Sequence, residues 1–149
     1  MGTQQILLIV LSVIIVGVAI AVGISMFNSQ AYNSNKTAIA SDAQSFATQV
    51  VQYYKTPTSQ GGAGGVIVDD AAGLTAICGY MGFDPTTHQI SNENGIFTID
   101  IASATSVTIT GLGTAQKGNP AVQPKIVTTV TLPAGTITAN ASDQAVAGS

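Results

Sequence analysis

The sequence predicts an α+β chain: one long N-terminal α-helix, apolar in its first half, packed through its second half on a small antiparallel β-sheet. Three observations carry this. Residues Ile6 to Phe27 are 22 consecutive positions without a charged side chain. Behind them Tyr32, Ile39, Phe46 and Tyr53 recur every seven residues, and no proline occurs before Pro57. After Asn94-Gly95, short runs alternate β-branched apolar residues with threonine and serine, divided by turn residues. The chain of 149 residues is therefore read as an apolar half-helix over 1–27, an amphipathic half-helix over 28–56 and a β-rich globular domain over 57–149.

At about 1.5 Å per residue, a helix over Ile6–Phe27 spans the ~30 Å hydrocarbon core of a bilayer. A cleaved secretory signal is the competing reading. It requires a basic n-region and a shorter apolar run of about 7–15 residues. Met1 to Gln5 carries no basic side chain, and Ala19-Ile20-Ala21, the one cleavage-like box, lies inside the apolar run. Gly17 and Ala21 are four residues apart, as are Ala19 and Gly23. This small-xxx-small spacing predicts a helix-packing stripe that lets another helix approach closely. An ion path or proton relay needs an ionisable residue within the membrane, and the run contains none.

The second half has a different pattern. Ala43 and Val50 fall between the heptad-spaced aromatic and aliphatic residues, giving one apolar stripe against Asn35, Lys36, Ser41, Gln44, Thr48 and Gln52. Ile39, Phe46, Val50 and Tyr53 are the predicted helix–sheet core, facing Phe97, Ile99, Val107, Ile109 and Val130. The residue before a proline is pushed out of the α region, so the helix should end near Lys55 or Thr56. A continuous helix from Thr3 to Lys55 would be roughly 80 Å long, more than a small domain covers.

Pro57–Gly65 reads as a loop from its glycine and proline content. Val66–Val68 reads as a short strand. Asp69 or Asp70 is an N-cap for a second helix carrying Leu74, Ile77, Cys78 and Met81, which Gly79 and Gly82 should terminate. Phe97–Ile101, Val107–Ile109, Ile126–Leu132 and a short Thr136–Thr138 read as strands of a meander, with Gly111–Pro124 as a loop.

Composition narrows the function classes. Charged residues are 7% of the chain, the net charge is −3, and 46% of residues are apolar. Disorder requires high net charge and few apolar residues, so it is excluded. The four basic residues, all lysines, are scattered and give no nucleic-acid footprint. Cys78 is alone and forms no intrachain disulfide. His88, with Asp84 and Glu93 nearby, lacks the second His or Cys at fixed spacing of a zinc site. Asp69-Asp70 is not followed by a calcium loop. Gly61–Gly65 lacks the Lys-Ser/Thr of a phosphate-binding loop, and no nucleophile elbow surrounds a serine. The sequence thus points to no catalytic, cofactor or metal site and to a protein that is not an enzyme. Asn35-Lys36-Thr37 and Asn140-Ala141-Ser142 are candidate N-glycosylation sequons.

An uncharged apolar N-terminus, an amphipathic half-helix and a three- or four-stranded sheet together resemble a type IV pilin or type II secretion pseudopilin. The segment Gln49 to Gly65, QVVQYYKTPTSQGGAGG, is similar to the helix-to-loop junction of short pilin-like proteins in some bacteria. Gln5 stands, with Met1 as first residue, where many pilins carry glutamate. Val22 stands where a helix-breaking proline is common, the C-terminal disulfide is impossible, and only Met1-Gly2 is available as a leader. The resemblance implies a homopolymeric, self-assembling filament subunit at the cell surface, with a membrane-inserted precursor and pilus assembly machinery as partner. The apolar half-helices would form the filament core. The alternative is a single-pass, membrane-anchored minor pseudopilin or binding module of a secretion or assembly complex.

Overall fold

A computed structural model describes residues 2–147, so expectations attached to Met1 and to the last two residues of the 57–149 region lie outside the described residues. One helix, α1, runs unbroken over Gly2–Lys55, about 80 Å. Gly17 and Gly23 do not interrupt it, because the i→i−4 ladder tolerates single glycines at about 1 kcal/mol each. A 3₁₀ turn, Thr58–Gln60, and helix α2, Ala71–Met81, follow. Asp70 caps α2 by accepting from the Gly73 N–H at 2.7 Å, and Gly82 ends it at φ 79°. Gly79, expected as a terminator, lies inside the helix.

Five strands form one antiparallel meander in the order β1-β2-β3-β4-β5. They are β1 Gln89–Ser91, β2 Gly95–Ser103, β3 Ser106–Gly113, β4 Val122–Thr131 and β5 Thr136–Ala145. In its strands and loops the structure differs from the sequence reading at four places. Val66–Val68 forms no strand; Ile67 is buried while Val66 and Val68 face outward. The strand β1 is additional. The 111–124 loop is shorter at both ends, and β4 contains Pro124. That proline sits one residue beyond the last β3–β4 ladder pair, Leu112↔Lys125, where the ladder has ended and a missing N–H is tolerated. Finally, β5 is ten residues long, not three.

The second half of α1 lies across β3 and β4 on one face of the sheet. Ile39, Ala43, Ala47 and Val50 are fully buried there, against Phe97, Ile99, Val107, Ile109, Ile126 and Val130. Two alanines at i and i+4 let the helix axis come close to the sheet. Gly113 marks the tightest approach: a Cβ there would collide with the Asn35 Oδ1 and the ring of Pro124. Phe46 is only half-buried and turns to the flank, its ring edge-on to Phe97 at 5.1 Å and to Phe83 at 5.2 Å. Tyr53 closes the far end of the stripe beside Tyr80 at 5.2 Å.

One inward side chain breaks the apolar face. Thr128 is fully buried, and its Oγ1 has no hydrogen-bond partner among the described residues. An unpaired buried hydroxyl costs about 1–3 kcal/mol. Thr128→Val removes it at nearly constant shape and is expected to stabilise the domain by about 1 kcal/mol in denaturant unfolding. A loss of stability instead would show that the hydroxyl is paired.

Candidate functional site

The site the chain builds is a junction between a bare apolar rod and a domain that grips its continuation. From Ile6 to Phe27 every large hydrophobic is exposed, between 51% for Val10 and 74% for Phe27. The most apolar 18-residue window of α1 is 0% buried within the chain, and α1 is long and apolar enough to cross a membrane. Gly17, Ala19, Ala21 and Gly23 all lie on this bare segment, and a Cβ built on Gly17 or Gly23 would meet nothing within 4 Å. Among the described residues, Gly17 and Gly23 therefore serve no close contact.

Burial on α1 begins at Tyr32, and there the domain holds the helix through a polar collar. Tyr32, 1% exposed, donates its phenol to the Asp143 carboxylate on β5. Lys36 Nζ lies 3.5 Å from the same carboxylate and Lys117 Nζ 4.0 Å from it. Lys117 also sits 4.3 Å above the Tyr32 ring, in cation–π range. Asn35 Nδ2 donates to the Asn94 carbonyl at 2.8 Å, and its Oδ1 accepts from the Ala115 N–H at 3.2 Å. Lower on the helix, Asp42 Oδ2 accepts from Asn92 at 2.9 Å and Asn94 at 2.7 Å. Asn92 in turn shapes the β1–β2 turn by accepting the Asn94 and Gly95 N–H groups. Three helical turns thus tie down three separate parts of the sheet, fixing the direction in which the bare rod leaves the domain.

The collar is tuned in pH by opposite shifts. Burial first, then the Asp143 hydrogen bond and charge, push the Tyr32 phenol up to about 12. The Tyr32 hydrogen bond, followed by Lys36 and Lys117, holds Asp143 below the usual carboxylate range. Protonated Tyr32 stabilises the fold fully below its unfolded value of about 10, and this is lost as pH rises towards 12. Ionised Asp143 stabilises it above about 3.9, and this is lost as pH falls through the depressed value. Thermal unfolding between pH 9 and 11.5 is expected to show a falling Tm that Tyr32→Phe flattens. Burial also raises Tyr53, so a residual slope should remain. An unchanged slope in Tyr32→Phe would remove the collar from the alkaline response.

Above the collar, Ala21, Ile24, Ser25 and Asn28 on the helix face Gln116, Lys117 and Val122 across an open groove of about 590 Å³. A second concavity of about 260 Å³ lies between Tyr53, Ile67, Ala72 and Ala76. Neither gathers the convergent titratable groups that catalysis needs. Among the described residues no group of three His, Cys, Asp or Glu side chains comes together. His88 is half-buried in a loop at φ 56°. Burial raises the Cys78 thiol, with the Asp84 charge adding to it, so the thiolate nucleophile is disfavoured.

The sequence reading singled out the rod and the packing stripe; it passed over the collar. Ile39, Val50 and Tyr53 are buried, while Phe46 shares its role with Ala47. The two sequons part company: Asn35 is engaged at both ends of its carboxamide, and Asn140 is exposed on β5. Comparison with known proteins finds no matching family model, no matching curated protein and no matching solved structure.

Proposed function

We propose that this chain is a structural subunit that self-assembles, through its apolar N-terminal half-helix, into an extracellular filament of the type IV pilus kind. The observation that carries the reading is the contrast along α1. Its second half is buried and gripped by the collar, and its first half, equally helical, has no cover in its own chain. Burying this uncharged 22-residue run against lipid or other helices gains tens of kcal/mol gross at about 25 cal/mol per Å². A bilayer serves the precursor, and neighbouring half-helices serve the filament. Transfer between the two falls to an assembly machinery. The low charge of the domain suits a surface that packs against copies of itself. On this reading the protein has no catalytic role.

Electron microscopy of material sheared from the cell surface tests it. Filaments whose repeating density accommodates this chain are expected. The same apolar segment also matches a single bilayer crossing, which favours a membrane-anchored minor pseudopilin or binding module as second reading. A chain found only in membrane complexes, with no filament, selects that reading and rejects the first.

A further inference from the structure

The strand β5 is an edge. Its ten residues pair with β4 in unbroken register, from Val122↔Ala145 to Thr131↔Thr136, and among the described residues no strand pairs with its other side. All positions from Thr136 to Asp143 are exposed. A free edge presents a row of N–H and C=O groups that templates pairing with another chain. Natural sheets guard such edges with proline, lysine, a bulge or short length. The opposite edge, β1, is guarded by being three residues long. In β5 the one charge, Asp143, lies near its end and turns inward to Tyr32; Thr136 to Ser142 carry no proline, no charge and no register shift.

What β5 has at its centre is the sequon Asn140-Ala141-Ser142. The period of two places Asn140 and Ser142 on one face. That face is the outer one. Ala139 and Ala141 pair with Thr128 and Ile126, which are buried under the helix, so Asn140 points away from the core beside Thr138 and Ser142. The other sequon is committed elsewhere. The Asn35 carboxamide donates to the Asn94 carbonyl and accepts from the Ala115 N–H, in a half-buried position walled by Gly113. A sugar on its Nδ2 would compete with the hydrogen bond to the Asn94 carbonyl.

We propose that Asn140 is an N-glycan attachment site and that the glycan guards the β5 edge against pairing with other chains. The donor is an oligosaccharide carried on a polyisoprenyl diphosphate. A bond forms between Asn140 Nδ2 and the anomeric carbon, and the bond from that carbon to the diphosphate oxygen breaks. The amide gives up one proton, and polyisoprenyl diphosphate leaves. No electrons change hands. The inference rests on the export that the filament reading requires.

The test is peptide mass mapping of the full chain purified from its native host, with surface exposure scored by protease treatment of intact cells. The peptide holding Asn140 is expected to carry whole sugar residues, the peptide holding Asn35 none, and Asn140→Gln should abolish the addition. The Asn140→Gln chain in detergent should also form larger assemblies than wild type, and adding Thr138→Lys, an edge charge, should reverse that. An unmodified Asn140 on a surface-exposed chain overturns the glycan and leaves export standing, as does a sugar on Asn35. A chain that protease reaches only after lysis removes export, and this inference with it.

Discussion

Truncating Ile39 to alanine is expected to cost the domain about 3 kcal/mol, within the usual range for a buried isoleucine. Ile39 is fully buried, between the collar above and the paired alanines Ala43 and Ala47 below, in the core that α1 forms with the sheet. The closeness of helix and sheet at this level leaves little freedom for the cavity to collapse. Phe46 makes the informative comparison. Were it wholly buried, Phe46→Ala would cost about 3–5 kcal/mol. It is half-buried on the flank, where the rings of Phe83 and Phe97 remain in place, so about 2 kcal/mol is expected. Denaturant unfolding of the full chain in detergent gives both numbers. An Ile39→Ala loss below about 1 kcal/mol, or a Phe46→Ala loss exceeding it, would mean that the helix seats on the sheet in another rotation.

That comparison also shows what periodicity reveals. The heptad of large residues correctly oriented the helix, because large apolar side chains and helical spacing signal a buried face. It could not show that Ala43 and Ala47 share the buried face, since alanine is equally at home on an exposed helix. The same ambiguity hid most of β5: after Ile137 the inward positions are Ala139 and Ala141, too small to announce a strand. Gly79 misled in the opposite direction. A glycine inside a helix costs only about 1 kcal/mol, and the left-handed turn that ends α2 falls at Gly82. The collar was invisible for a different reason. Tyr32 and Asp143 are 111 residues apart, and no local pattern links a tyrosine in a helix to an aspartate in an edge strand. Only the meander's register, which brings the end of β5 alongside the second half of α1, places them together.

Assembly should fail outright in Ala19→Asp. Residue 19 lies in the middle of the bare segment, and a carboxylate packed among neighbouring half-helices has no partner, a cost of several kcal/mol even after relaxation. Insertion into a bilayer penalises the same change by only ~3 kcal/mol. The variant should therefore reach the membrane in reduced amount, keep its domain folded and form no filaments in sheared material. Loss of insertion alone would mimic this result, so Gly17→Leu and Gly23→Leu decide the matter. Both keep the segment apolar, and both replace a residue whose Cβ would meet nothing within its own chain. Leucine also improves helix propensity by about 1 kcal/mol, so neither variant should harm the isolated subunit. In a filament held by close helix packing, the added side chains collide with a neighbour where the small residues allowed contact. The expected result is normal membrane levels with a clear drop in filament yield for both. Wild-type filament yield in both leucine variants would show that close packing at Gly17 and Gly23 is not what joins the subunits.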